Sequence, residues 1–408
     1  MSKFQLQIQQ QMNEIIFHPF LFRVVVPLFM FWTITKWFYK PAANKKLPPS
    51  PWKLPILGNL LQLGLFPHRN LQSLAKKHGP LMLLHIGTVP TLVVSSADVA
   101  REILKTHDLI FADRPQSSVG RRLLYDFKDV FVAPYGEYWR QLKSICVLQL
   151  LSNKRVQSFD SIREEATALL VNKIRNSTSP VNLSEMFAQI TNDVVCRSVF
   201  GQKYIDGQNG KKFLSFLAEY VELLGNFTLG DFFPGLSWIS RVNGFDARVD
   251  KFSKEMDEFL EGVIREHMET PNEDKNGANF VDICLIFTKD MYGAGTETTS
   301  TVLEWAMTEL LRRPSVMKKL QTEVREIVKD KQDITENDLE KMQYLKADQG
   351  NSSLPHSNPV ASSPTSKKRC ENHGYDISAG TMVITNAWAI GRDPVTWDEP
   401  EKFEPDRF

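Results

Sequence analysis

The sequence predicts a mainly α-helical protein with a small β region, held behind an N-terminal membrane anchor. Three observations carry that prediction. Residues 154–270 are dominated by long helical periodicities, and Asp290–Arg313 reads as one long helix. The strand-like runs are short, LMLLHIG and TLVVSS being the clearest. The 408 residues, 42% hydrophobic and 24% charged, give ample material for a large core. A formal net charge of +1 implies no general attraction to nucleic acid. The four cysteines, Cys146, Cys196, Cys284 and Cys370, lack metal-type spacing, which argues for a reducing compartment and against a disulfide scaffold.

The anchor is expected within residues 1–40. Ile15–Tyr39 is the most apolar segment, and it is free of charge from Val24 to Thr35. Arg23 and Lys36 bracket that run and extend it by snorkelling. The run itself is shorter than the roughly 20 apolar residues of a span, so a peripheral or core helix is the alternative. Lys36, Lys40, Lys45, Lys46 and Lys53 follow with no acid between them, which places the bulk of the chain on the cytosolic side. No small-residue cleavage site is present, so an uncleaved signal anchor is expected. Residues 41–59 form a basic, proline-rich hinge, because the four prolines of PPSPWKLP exclude helix and favour a stiff extended strut. Asn176, Asn182, Asn226 and Asn351 open glycosylation-like triplets that a cytosolic domain leaves unmodified.

From Asn70 helix and strand alternate: Leu71–Lys77 helical, two strands, then Ala97–Lys105 helical. The stretch from Phe111 to Gly136 reads as irregular. Gly136–Cys146, GEYWRQLKSIC, opens a helix with Trp139 and Arg140 in its first turns. An indole donor beside a fixed cation makes a seat for a carboxylate, an interfacial Trp with a solvated Arg being the alternative. An aromatic-rich break, Phe227–Ile239, interrupts the later helices, and two further helices are expected between Ser315 and Lys346.

The stretch Asp290–Arg313 organises the rest. Leu303, Met307, Leu310 and Leu311 fall on one apolar face, and Pro314 ends the helix. Its start sets Gly293, Ala294 and Gly295 beside Glu297 and Thr298. Each glycine costs about 1 kcal/mol relative to alanine, so stability alone does not ask for this arrangement. A helix opened for a flat ligand explains it: Gly295 removes a side chain, and Thr298 competes for a backbone carbonyl. Glu297 beside Thr298 then relays protons to a reacting oxygen. A glycine-softened core helix with its acid turned to solvent is the alternative.

Four stretches resemble one family. Ala294-Gly295-Thr296-Glu297-Thr298-Thr299 resembles the oxygen-activating helix of the cytochrome P450s, and Leu47–Leu60 resembles the hinge of the microsomal members. APYGEYWRQLKSICVLQLLSNKRVQSF is similar to the plant P450 helix whose Trp and Arg hold a haem propionate. GYDISAGTMVITNAWAIGRDPVTWDEPEKFEPDRF is similar to the plant segment ending in a Pro-Asp-Arg-Phe motif. The chain is identified as a member of the plant A-type microsomal P450 monooxygenases. The resemblance implies a P450 domain over residues 60–408, haem b, and electrons from NADPH–cytochrome P450 reductase. It implies an endoplasmic reticulum membrane location with the catalytic domain cytosolic. The expected reaction inserts one oxygen atom into a lipophilic small molecule of plant specialised metabolism. By position, Trp139 and Arg140 would hold a propionate and Ala294 and Gly295 would face the iron. Glu297 and Thr298 would deliver protons, and Arg407 would be a structural brace.

Three departures qualify the resemblance. Leu285–Lys289 stands where relatives carry a connector and the front half of the organising helix. Asp348–Ser366, with six serines and three prolines, stands where they carry a Glu-x-x-Arg helix, and reads as disordered. The codons for Asp348–Leu354, read one nucleotide later, permit Ile-Lys-Glu-Thr-Leu-Arg. Those for Arg369–His373 likewise permit Asp-Val-Lys-Ile-Met. A frame-shifted coding stretch across 348–373, restored near Gly374, is the expectation. The chain also reaches Phe408 before the family's glycine-rich loop, so the axial cysteine thiolate is absent from these residues and no metal ligand is assigned. The expectation is an inactive monooxygenase. The alternatives are a non-catalytic membrane-anchored remnant (a pseudogene product or mispredicted gene model) and a lipophilic-ligand-binding pseudoenzyme.

Overall fold

In the computed structural model of the protein the described residues are 25–38, 46–200, 208–269, 285–329, 334–346 and 364–400. They divide into two compact units, Met1–Phe111 with Val360–Ile390, and Ala112–Pro359 with Gly391–Phe408. The architecture is mainly helical with a small β region, as the sequence predicts.

The first unit holds the β region. Helix α1 (Val26–Phe38) is about 20 Å long, against about 30 Å of bilayer hydrocarbon. Leu28, Met30, Phe31 and Trp32 on it are exposed. Among the described residues no helix is long and apolar enough to cross a membrane, so the expected anchor is not seen as a span. The rest of that anchor, residues 1–24, lies outside the described residues. Helix α2 (Pro67–His78) starts on a proline at its first position, where the missing N–H is no loss. Strands β1 (Leu81–Ile86) and β2 (Val89–Val94) pair antiparallel with Leu81 opposite Val94. Of the expected hinge, residues 46–53 carry no regular secondary structure and Leu54–Gly58 forms a turn; the Pro49 carbonyl accepts the Leu83 N–H at 2.9 Å, covering the open edge of β1. Helix α3 (Ala97–Arg101) continues as a π-helical turn to Thr106. Strands β3 (Cys370–Asn372) and β4 (Tyr375–Ile377) form a hairpin, and β5 (Met382–Thr385) joins β2 in parallel. The hairpin turns at His373 and Gly374, both with positive φ (48° and 76°), the two-residue geometry that matches strand twist.

Strand alternation builds two cores. Leu92 and Val94 pack with Leu81, Val99, Ile103, Phe111, Ile377 and Val383, whereas Val93 packs on the other side with Leu71, Met82 and Leu84.

The second unit is helical. The stretch expected to be irregular contains α4 (Ser118–Leu123), whose start is fixed when the Ser117 hydroxyl accepts the Gly120 N–H at 2.9 Å. Helix α5 (Glu137–Ile145) follows, and then α6 (Asp160–Arg175), α7 (Leu183–Phe200), α8 (Gln208–Leu224) and α9 (Phe245–Glu269). The core spans α4, α7, α8 and α9. Val249, Phe252, Met256 and Leu260 recur at helical spacing on α9 and meet Phe216, Leu217, Tyr220 and Leu223 of α8. The aromatic-rich break is tied to α4, since Asp231 accepts the Ser118 N–H at 2.8 Å.

Helix α10 (Leu285–Arg312) is continuous, so Leu285–Lys289 is helical and supplies its front. Helix α11 (Pro314–Val328) follows, and a single turn at Glu336–Leu339 comes after it. Residues 347–363, most of the serine-rich insert, lie outside the described residues, as does Arg407.

Candidate functional site

Every described residue singled out by sequence lies on α5 or α10, within the second unit. Helix α10 packs antiparallel against α7: Val195 lies beside Gly295, and the Ser184 hydroxyl donates to Glu304 at 2.7 Å near the other end. A Cβ built on Gly295 would meet Val195 Cγ2 at 3.1 Å. The missing side chain at this position therefore lets α7 approach. It is not turned toward open space, as a flat ligand approaching along that direction would require.

The buried face of α10 is also not the one that apolar spacing indicates. Leu310 is buried, but Leu303 and Leu311 are exposed, while Thr296 and Ser300 are buried. The cause is α7, which settles where small residues permit close contact and so covers the face that Thr296 and Ser300 share with Gly295. The Thr296 hydroxyl is 1% exposed and makes no hydrogen bond, as does the amide nitrogen of buried Asn192 on α7. The buried carboxylate of this helix is Glu309, paired with Arg312 at 3.4 Å and with Arg313.

Glu297 and Thr298 are exposed, so the acid is turned to solvent as in the alternative reading. The Thr298 hydroxyl donates to the Ala294 carbonyl at 2.6 Å, one turn back, as expected for an alcohol that competes for a helix carbonyl. Ala294 and Thr298 thus share a face that α7 leaves accessible.

On α5, the Trp139 indole N–H donates to the Val130 carbonyl at 2.9 Å. An indole has one donor, so here it serves a backbone carbonyl rather than a propionate. The Trp139 ring lies 5.4 Å from Tyr135 and has the Lys143 ammonium 4.9 Å over it. Arg140 is exposed, with no side-chain partner among the described residues. Sequence reasoning passed over Asp129, just ahead of this helix. It is 1% exposed, its Oδ1 accepts the N–H groups of Phe131 and Val132 at 2.7 and 2.9 Å, and its Oδ2 is buried without a partner. Burial pushes the carboxyl above its ordinary value, against the pull of those backbone N–H groups. The only advance signal is an acid immediately ahead of a buried-looking Val-Phe-Val-Ala run.

A haem thiolate needs a cysteine held as the anion. Cys146 and Cys196 are buried in the helical core, and burial, aided by Asp193, drives the Cys196 thiol far up. Cys370 belongs to β3 and is also raised by burial. Among the described residues, Ala294 and Thr298 therefore offer an accessible helix face and Arg140 an exposed cation, while burial disfavours the anion at Cys196 and Cys370.

The family model described as Cytochrome P450 matches residues 48–408. A Mentha piperita protein, Cytochrome P450 71A8, is 53% identical over 98% of this chain and 82% of its own length. A Pastinaca sativa psoralen synthase is 47% identical over 91% of this chain and 82% of its own. A solved zebra fish cytochrome P450 with progesterone superposes with a TM-score of 0.71 at 25% identity, covering 84% of each chain.

Proposed function

The chain belongs to the cytochrome P450 family, and from that premise we propose that the Ala294–Thr298 face of α10 is the distal wall of a monooxygenase site for a lipophilic plant specialised metabolite. Haem is the family's cofactor, and when bound it supplies the centre at which O2 is activated and electrons are received. The observation that carries the reading is the Thr298–Ala294 bond on an accessible face beside a glycine. With its proton on that carbonyl, the Thr298 oxygen keeps lone pairs free to accept a hydrogen bond; in a relay the hydroxyl turns its own proton toward the reacting oxygen and takes a replacement from a donor such as the Glu297 carboxyl. The pair can pass protons inward one at a time. Ala294 keeps the wall shallow, and Gly295 serves it from behind by letting α7 close in. Arg140, with its guanidinium uncommitted, supplies the cation for a propionate. Trp139 fixes the helical turn from which Arg140 emerges.

NADPH–cytochrome P450 reductase is the proposed electron donor. An N-terminal anchor in the endoplasmic reticulum membrane is the proposed location, with the catalytic domain cytosolic. The plant relatives and the basic, proline-rich hinge support that reading. A second reading, a non-catalytic membrane-anchored remnant, draws on Asn372, a buried side chain whose amide atoms find no partner. It also draws on Cys196 and Cys370, where burial raises the thiol and disfavours the anion.

The test is the carbon monoxide difference spectrum of haem-reconstituted protein. A thiolate-type band supports the monooxygenase reading, and its absence supports the remnant. In haem-loaded protein, Thr298→Ala should lower substrate oxidation about 100-fold while leaving haem content unchanged. Unchanged turnover would remove Thr298 from proton delivery. Sequencing the transcript across the codons for 348–373 separates the remnant from the enzyme.

A further inference from the structure

We propose that Asp129 is the positioning residue for Trp139, acting through the single peptide plane between Val130 and Phe131. The Val130 carbonyl and the Phe131 N–H belong to the same planar group and point in opposite directions. Trp139 Nε1 holds the carbonyl at 2.9 Å, and Asp129 Oδ1 holds the N–H at 2.7 Å. The plane is gripped from both ends.

The neighbouring bonds reinforce that grip. Asp129 Oδ1 also takes the Val132 N–H at 2.9 Å, the Ala133 N–H donates to the Asp129 carbonyl at 3.3 Å, and the Tyr138 hydroxyl donates to the Lys128 carbonyl at 2.8 Å. Thus adjacent aromatic residues of α5 hold carbonyls on either side of Asp129. Just upstream, Tyr125, Asp126 and Phe127 have φ of 49°, 57° and 62°, three successive residues in the left-handed region that L side chains avoid. A segment entered through such a turn returns to ordinary backbone unless something fixes its far end, and the Asp129 turn is what does so. The carboxylate's second oxygen makes no bond, so its work is done as an acceptor through Oδ1 alone. An asparagine offers the same acceptor.

The consequence for the site is that Trp139 is a loop anchor, and the first turn of α5 presents Arg140 only while that anchor holds. Only the identity of the anion at Arg140 rests on the function proposed above.

Hydrogen exchange on the full 408-residue protein, without haem, tests the clamp. Asp129→Ala is expected to speed exchange of the Phe131 and Val132 amides about 10- to 100-fold, and Trp139→Phe to speed that of Phe131 about 3- to 10-fold. Because both act on one plane, the double variant should exchange no faster than Asp129→Ala alone. Asp129→Asn should stay within about 3-fold of the parent. Effects of the two single variants that multiply, or unchanged exchange in Asp129→Ala, would overturn the proposal. If Asp129→Ala does not fold, Asp129→Asn decides: native exchange supports the proposal and accelerated exchange refutes it. No haem enters the measurement, so failure of the propionate assignment leaves this result standing, and the converse holds.

Discussion

Two strands of the first unit use their buried positions in opposite ways. In β2, Leu92, Val93 and Val94 are fully buried and feed both cores, and the one buried alcohol, Thr91, donates to the Val89 carbonyl at 3.3 Å. In β3, the fully buried residue is Asn372, and neither its amide nitrogen nor its oxygen has a partner. Both strands pair regularly, Cys370 opposite Ile377 and Asn372 opposite Tyr375 in the second case. Backbone pairing therefore tolerates side chains that do not suit their surroundings. The misfit coincides with the stretch whose codons permit another reading. Read one nucleotide later, codons for 370–372 permit Val-Lys-Ile: apolar where Cys370 packs on the core, charged where Glu371 is exposed, apolar where Asn372 is buried.

The largest effect that sharpens this contrast is Leu92→Ala, expected to cost about 2–5 kcal/mol in urea unfolding because a filled core position becomes a cavity. A loss below about 1 kcal/mol would mean that β2 is no better packed than β3, and the contrast would fall. Asn372→Ile comes next, with an expected gain of about 1–3 kcal/mol from removing an unsatisfied buried amide and adding apolar burial. A destabilised variant would show that the amide has a use, and would break the comparison from the other side.

Asp129 is an intermediate case, a buried polar group with one atom satisfied. Its folded carboxyl is raised by burial, so the stability it contributes is fully present below the ordinary carboxyl range. That contribution falls as pH rises through the raised value. Asp129→Asn cannot ionise, so its advantage over the parent should grow with pH across that window and then level off. Unfolding midpoints at successive pH values measure it, and parallel profiles would refute it. Cys370→Val should be the smallest change, within about 1 kcal/mol, because the site is only partly buried and the volumes are similar.

Much of the fold was legible. β1, β2, α2 and the helices of 154–270 all follow from period, proline placement and alternation. α4 was missed because a six-residue helix shows too little period against its loop, and only its Ser117 cap marks it. The partners on α10 were misjudged for a different reason. Apolar spacing assigns Leu303 and Leu311 to the buried face, but the packing of α7 is decided by the small residue at Gly295, which a hydrophobicity pattern does not weight. Thr298 was legible because its back-bond to Ala294 is local. The Val130 carbonyl under Trp139 was not, since the loop that carries it has no periodicity to read.

The contact between Val195 and Gly295 bears on how two long rods keep their axial registry. Thr296 and Ser300 on α10 are small and polar, and α7 presents buried Thr191 and Asn192. Side chains of this size interlock weakly, so little volume opposes translation of one helix along the other. Val195 seated at the glycine acts as a peg in a hole, and the Ser184–Glu304 bond near the opposite end acts as a second pin. Two pins some turns apart oppose sliding of one helix along the other. The height of Thr298 along the accessible face of α10 is then set by a valine on another helix.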